Sequence, residues 1–289
     1  MIIFLADGRL GNQLFQYAFL KAIQRRKEKI MVSGFEELNE VFEVNDIIRI
    51  NKKNRWIRVI VFRMIRPVLI FLSDYKIISA IKIVHEKILD NFRRETKKTI
   101  KTNGLFDVVL FVKLGFFQSN VFFEENDIKH LEIKKKYKDC ARQNIKSIPL
   151  DSHRVFVHIR RGDYKDHKVY GRNTLLPIEY YKEQINWFKL NKKNPFFIFL
   201  SDEPDFIEEE FGYIKEKIIP INNHFGVDMA IMSLCQSAIL SPSSFSWWGS
   251  YFMKKRDTVF TPEYWLGFES KTEYQKGTIT EYMTEIDIK

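Results

Sequence analysis

The sequence predicts an α/β protein built from two halves, each organised around a parallel sheet. Three observations predict it. Residues 151–289 alternate short apolar runs with helical stretches, the pattern of βαβ units. The chain opens in the same way, with an apolar run, a glycine turn and a helical stretch. Between the two, residues 121–153 are charged and carry Pro149 near their end, which places a boundary near residue 150. The expected domains are therefore 1–150 and 151–289.

The elements follow in chain order. Met1 to Ala6 reads as a strand, Asp7 to Gly11 as a turn, Asn12 to Lys27 as a helix and Ile30 to Val32 as a second strand. Beyond residue 50 the first half reads as helical and basic. In the second half, Arg154 to Ile159 is a β-branched strand. Pro177 to Leu190 is a helix with proline near its start, where the missing N–H does no harm. Pro195 to Leu200 is a strand ending in Ser201-Asp202, and Glu203 to Phe211 an acidic helix. Lys217 to Ile221, Ala238 to Leu240 and Thr258 to Phe260 complete the strands. Val227 to Gln236 and Ser243 to Met253 are the helices between them.

The composition is that of a packed protein: 45% hydrophobic, with 26 phenylalanines, argues against disorder. The two cysteines, Cys140 and Cys235, lack any zinc-ligand spacing, so no metal is expected and a reducing, cytoplasmic setting fits. Asp7, Gly8 and Arg9 interrupt the apolar start before a signal sequence forms. The most apolar stretch, Trp56 to Leu72, holds Arg58, Arg63, Arg66 and Pro67, too polar for a membrane span.

The net charge of +10 lies in one half. Residues 1–150 hold 29 Lys and Arg against 17 Asp and Glu, whereas residues 151–289 hold 18 against 20. Between Lys52 and Arg66 there are six cations and no acid. On a helix, Arg55, Arg58, Arg63 and Arg66 fall within about 140° of arc, with Ile57, Ile60, Val61 and Ile65 filling much of the rest. This basic amphipathic pattern suits peripheral contact with an anionic membrane. A packing helix with solvated arginines explains it equally well. Nucleic acid is not expected, because no RRM, KH or helix-turn-helix pattern appears.

Three strand ends carry unusual residues. Ligands of open α/β sheets sit at the carboxyl ends of strands, so these are the places to look. Val157 to Tyr164 reads VHIRRGDY: His158, Arg160, Arg161 and Asp163 follow directly on a buried strand. Desolvating adjacent guanidiniums is costly unless anions pair with them, and their forks match phosphate oxygens. Strand alternation puts His158 and Arg160 on one face and Arg161 on the other. One arginine then meets a ligand while the other pairs internally. An isolated arginine pair more often makes a surface ion pair, for instance Arg161 with Asp163.

Ser241 to Tyr251 reads SPSSFSWWGSY. Pro242 stops the strand, Ser243 or Ser244 caps a helix, and the helix start offers N–H groups to a phosphate. Trp247 and Trp248 read as core. Asp7 to Ala18 reads DGRLGNQLFQYA, where Gly8 and Gly11 permit a tight turn and Asn12 and Gln13 bring amides to a helix start. Asp228 begins the helix before SAILSP. A carboxylate there can accept hydrogen bonds from a guanine edge, or it can simply complement a helix end.

Together, GRLGNQLFQYA, VHIRRGDY, the FLSD strand end at Asp202 and SPSSFSWWGSY resemble the α-1,2-fucosyltransferase family of galactoside fucosyltransferases, in its order and rough spacing from residue 8 to about 252. GRLGNQ and the HxR strand end are also similar, more distantly, to the protein O-fucosyltransferases. The resemblance implies a GT-B-like fold of two Rossmann-type domains facing a cleft, with GDP-fucose in the C-terminal half. It implies metal-independent, inverting transfer of L-fucose to the 2-hydroxyl of a terminal galactoside, in bacterial surface glycan (O-antigen type) synthesis. An acceptor linked to a lipid diphosphate would be found at the anionic membrane surface that the basic pattern suits. Carried over by motif, Arg160 holds the pyrophosphate, His158 supports it, and the N–H groups of Ser243, Ser244 and Phe245 meet the phosphates. Asp202 falls among the donor-binding residues, Asp228 reads guanine, and Asn12 faces the transferred sugar. The chain has no DxD motif for a divalent ion, so Arg160 and the helix start must offset the charge growing on the leaving diphosphate. For the general base, Asp163, Asp166, His167 and Asp7 all remain open. A fucosyltransferase of other linkage is the alternative. Arg161-Gly162-Asp163 is also an RGD tripeptide of the adhesion type, but it sits inside a longer matching motif.

Overall fold

The computed structural model describes residues 1–50, 55–88, 93–273 and 278–288. It divides into two compact units, one of Met1–Glu86 with Glu95–Glu132, the other of Lys87–Arg94 with Ile133–Lys289.

The first unit opens with β1 (Ile2–Leu5), α1 (Leu10–Ile23), β2 (Ile30–Ser33), α2 (Glu36–Val41) and the short β3 (Phe42–Glu43) and β4 (Ile47–Arg49). A helical stretch follows, α3 (Arg55–Ile60) running through a π-helical turn (Val61–Ile65) into α4 (Arg66–Asp74). Then come β5 (Ile78–Ile88), β6 (Arg93–Thr102) and β7 (Phe106–Val112), with the short α5 (Glu125–Ile128) and β8 (Glu132–Ile133). The six-stranded sheet has the order β4-β2-β1-β7-β5-β6. β1 lies parallel to both β2 and β7. Ile2, Phe4 and Leu5 are buried in this central position, which is why β1 reads as an unbroken apolar run.

The expectation of a helical, basic region beyond residue 50 holds only to Asp74. The strands β5 to β7 replace helix thereafter. Phe106–Val112 is a β-branched and aromatic run that pairs with β1. Arg93–Thr102 forms the sheet's edge, where cations are tolerated and discourage further pairing. Its charges imitate a solvated helix in the sequence.

The second unit contains α6 (Lys135–Asn144), β9 (His153–Ile159), the hairpin β10 (Lys168–Val169) and β11 (Arg172–Asn173), α7 (Ile178–Asn191), β12 (Pro195–Ser201) and α8 (Pro204–Phe211). It continues with β13 (Lys217–Ile218), α9 (Phe225–Ser233), β14 (Ser237–Ile239), α10 (Ser244–Tyr251), β15 (Val259–Pro262) and β16 (Met283–Ile286). The order β13-β12-β9-β14-β15-β16 is parallel throughout. On one face Val155, Val157, Phe197, Phe199 and Ile239 pack with Tyr180, Tyr181, Ile185 and Phe188 of α7 and with Ile207 and Phe211 of α8.

The boundary differs from the expected one near residue 150, because α6 belongs to the second unit. Tyr137 of α6 stacks on His224, the N-cap of α9, with ring centroids 4.9 Å apart. That contact is tertiary and leaves no mark in the local charge pattern.

Helices α9 and α10 pack closely at Gly249. A Cβ there would stand 2.9 Å from Met232 Cβ and 3.0 Å from its Cγ. Gly249→Ala is therefore expected to destabilise the second unit by ~1–3 kcal/mol through overpacking. Thermal unfolding followed by circular dichroism checks this, and an unchanged melt refutes it.

Candidate active site

The second sheet has one topological switch point. From β9 the chain moves outward to β12 and β13, then returns across to β14 on the other side of β9 and continues to β15. Adjacent strands whose connections leave in opposite directions open a crevice at their carboxyl ends. β9 ends in His158-Ile159 and is followed by Arg160-Arg161, and the residues after β14 are Leu240 to Phe245.

His158 is buried, and its Nδ1 lies 2.6 Å from the Ser241 hydroxyl, joining the two strand ends. Burial, with Arg160 adding to it, pushes the imidazole down to about 3, so His158 is neutral. Its ring lies 6.0 Å from that of Phe245.

The two arginines part company, as strand alternation requires. Arg161 Nε donates to Glu203 at 3.0 Å, and its guanidinium lies 3.5 Å from the Phe206 ring centroid. Lys165 joins Glu203 as well. Arg160 instead forks onto Asp163, Nε to Oδ1 at 2.9 Å and Nη2 to Oδ2 at 2.6 Å. It also lies 4.8 Å from the Tyr164 ring centroid. Both Asp163 oxygens thus orient a guanidinium, which makes Asp163 a positioning group in this conformation rather than a poised base.

Tyr164 was not singled out by the sequence, yet it ties the site together. Its hydroxyl donates to the Pro242 carbonyl at 2.5 Å while its ring lies under Arg160. Only its place inside VHIRRGDY hinted at a role. Tyr180, from α7, similarly donates to the Leu240 carbonyl at 3.1 Å.

Asp202, at the end of β12, does not stand apart as a ligand group. It accepts the Arg161 N–H at 3.0 Å. Its Oδ2 would lie 2.6 Å from a Cβ at position 162, so a larger residue there would have to displace the Asp202 carboxylate. Asp202 braces that turn.

At the start of α10, Ser243 is the N-cap and its Oγ accepts the Phe245 N–H at 3.3 Å. The Ser243 N–H donates to Ser241 O at 2.7 Å. Of the three expected phosphate donors, two are therefore already engaged. The Ser244 N–H, half-buried in the first turn, has no acceptor among the described residues.

Asp228 stands in the first turn of α9, and Asn223 Nδ2 donates to its Oδ1 at 3.0 Å. Burial pushes its carboxyl up to about 6, against the Asn223 amide and His224. His224 caps the helix by accepting the Gly226 N–H at its Nδ1, 3.0 Å.

Among the remaining candidates, Asp166 and His167 are exposed in the loop before β10. Asp7 and Asn12 belong to the first unit. There, Asp7 Oδ1 accepts the Gly8 N–H at 2.8 Å, and Asn12 Oδ1 accepts from Gln118 Nε2 at 2.5 Å. Gly8 has φ +86°, and a Cβ on it would meet Asn12 Nδ2 at 2.6 Å. Gln13 is structural: it donates to the Gly8 carbonyl and accepts the Leu38 N–H.

The comparisons with known proteins agree in kind. The O-antigen biosynthesis glycosyltransferase WbnK of Escherichia coli is 26% identical, over 92% of this chain and 95% of its own. An alpha-1,2-colitosyltransferase of Escherichia coli is 27% identical, over 92% and 93%. A galactoside alpha-(1,2)-fucosyltransferase 2 of Pongo pygmaeus is 25% identical, over 39% of this chain and 34% of its own. Among solved structures, POFUT1 in complex with GDP-fucose has a TM-score of 0.52 at 14% identity, covering 96% of this chain and 98% of that one. Selenomethionine NodZ from Bradyrhizobium has a TM-score of 0.50 at 11% identity, covering 88% and 91%. At such identities these likenesses concern the fold, which is GT-B-like. The family model for glycosyl transferase family 11 matches residues 1–277, and the chain belongs to that family of glycosyltransferases.

Proposed function

We propose that this glycosyltransferase moves L-fucose from GDP-β-L-fucose to the 2-hydroxyl of a terminal galactoside, with inversion and without a metal, in assembly of an O-antigen-type glycan. The observation that carries the reading is the switch point of the second sheet, flanked by the Arg160 fork and the start of α10. As the bond to the sugar breaks, negative charge grows on the β-phosphate of GDP. A guanidinium and a helix start aimed at that charge stabilise it more in the transition state than in the ground state. The sugar passes through an oxocarbenium-like centre, attacked by the acceptor oxygen on the opposite face. The neutral His158 contributes a hydrogen bond rather than charge. The metal-free reading is supported by the missing DxD motif. The free cysteines fit a cytoplasmic location.

The named activity of the 27%-identical colitosyltransferase favours a second donor, one carrying colitose, the fucose relative that lacks the 3-hydroxyl. Incubation with each donor and a panel of galactosides in excess EDTA, with linkage read by NMR, tests the proposal. Transfer from GDP-fucose to a galactose 2-hydroxyl is expected. Transfer only from the deoxy donor, or only after added Mg²⁺ or Mn²⁺, overturns the donor or the metal assignment.

Arg160→Ala and Arg160→Lys are expected to lower kcat about 10²–10³-fold, since lysine keeps the charge but loses the fork. Circular dichroism and melting should stay normal. Arg161→Ala, which removes a guanidinium engaged with Glu203 and Phe206, is expected to retain most turnover. Steady-state kinetics decides, and an Arg160→Ala variant keeping more than about a tenth of kcat removes Arg160 from its role.

Asp228 must be ionised to accept two guanine N–H groups, so donor binding is expected to weaken as pH falls below about 6. The sign for stability is opposite. A carboxyl raised from 3.8 to about 6 makes the donor-free fold lose stability as pH rises between those values, at most ~3 kcal/mol. Asp228→Asn is therefore expected to melt no lower than the native protein at pH 7 while binding GDP-fucose more weakly. Calorimetry showing unchanged donor affinity returns Asp228 to a helix-end charge.

A further inference from the structure

The helical stretch of the first unit carries an apolar face that the sheet does not cover. Val61, Leu69 and Ser73 are buried inward, and Phe62, Ile70 and Leu72 pack partly against Leu5, Ile78 and Phe111. On the outward side Trp56 (76% exposed), Ile60, Met64 (66%), Val68, Phe71 and Tyr75 (69%) recur at intervals of three or four. That spacing makes one continuous stripe. The sequence pattern set Ile57, Ile60, Val61 and Ile65 apart from the arginines and left open whether they pack or face a membrane. Ile60 and Ile65 are exposed, and Val61 alone of that set is described as buried. The side chains of Arg55, Ile57 and Arg58, with Lys52 and Lys53, lie outside the described residues.

We propose that this stripe is an interfacial docking surface for an anionic lipid bilayer. Two features select lipid over another protein surface. From Arg55 to Ser73 the chain holds no acid, while the exposed Arg63 and the half-buried Arg66 border the stripe. The first acid beyond it, Asp74, is paired with Lys113 at 2.6 Å. Trp56 and Tyr75 bound the stripe at its two ends, and such amphipathic rings favour the depth of the headgroups. No helix among the described residues is long and apolar enough to cross a membrane, so the contact lies in the plane of the surface. The inference does not rest on the proposed donor or acceptor. It adds a site at which a lipid-carried acceptor would be met.

The test is co-sedimentation of the full chain with vesicles of phosphatidylglycerol and phosphatidylcholine, and with phosphatidylcholine alone. Binding is expected to the anionic vesicles and to fall with salt. Met64→Glu with Val68→Glu should lower vesicle affinity by at least about tenfold, because it places charge in the face that would enter the bilayer. Arg63→Glu with Arg66→Glu should lower it about fivefold or more per cation lost. Both double variants should melt normally and keep transfer to a soluble galactoside. Native protein that stays in the supernatant, or variants that bind as well as the native chain, overturn the proposal. A native dimer that Met64→Glu dissociates in analytical ultracentrifugation also overturns it, since the stripe would then be a subunit interface. Loss of soluble transfer in the native chain would instead count against the proposed donor or acceptor and leave the vesicle result standing.

Discussion

The second unit depends on a single constraint: β9 is buried on both faces. Val155 to Ile159 are all buried, so the strand interior admits no charged group. Every polar side chain it carries toward the ligand must come at its carboxyl end. His158 still lies within the buried region and is kept neutral there. Arg160 is the first position at which a guanidinium can reach solvent. The step from imidazole to guanidinium over two residues is thus a gradient of burial, and it fixes which group carries charge.

The neighbouring elements complete what β9 begins. The Ser241 hydroxyl meets His158, and the Tyr164 hydroxyl meets the Pro242 carbonyl, so the turn after β9 and the turn after β14 are bonded twice. Asp202 holds the Arg161 N–H from the other side, close against Gly162. Bonds of this kind contribute about 1 kcal/mol each to stability. Their larger effect is on geometry, because catalysis by fixed dipoles depends on placement within a fraction of an ångström. Beneath α10, Gly249 admits the Met232 side chain, so α9 and α10 pack closely side by side.

Much of this site was legible because its residues conflict with their surroundings. Adjacent arginines at the end of a buried strand are costly unless paired, and serines crowded around a proline exceed what a helix cap needs. Arg160, His158 and Ser244 could be found that way. What stayed illegible is tertiary. Tyr164 is an ordinary aromatic until its hydroxyl is seen on Pro242. Asp163 and Asp202 looked like ligand or base candidates, but each is committed to a neighbour 3 or 41 residues away. The strands from Ile78 to Val112 were hidden because an edge strand tolerates the same cations as a solvated helix. The boundary at Glu132 was hidden because α6 is held by a ring stack on His224.

The fork between Arg160 and Asp163 bears on how a charged ligand gains access to the guanidinium. Asp163 is 63% exposed, and ion pairs in water contribute about 0–1 kcal/mol. Such a pair holds Arg160 in one rotamer without trapping it. The diphosphate of the proposed donor carries more charge than a carboxylate and would compete with Asp163 for the fork. The Tyr164 ring, 4.8 Å away, would stay beside the guanidinium in either case. On the proposed function, a group that positions Arg160 in this structure would be released beside the bound donor, which keeps Asp163 among the candidates for the acceptor proton.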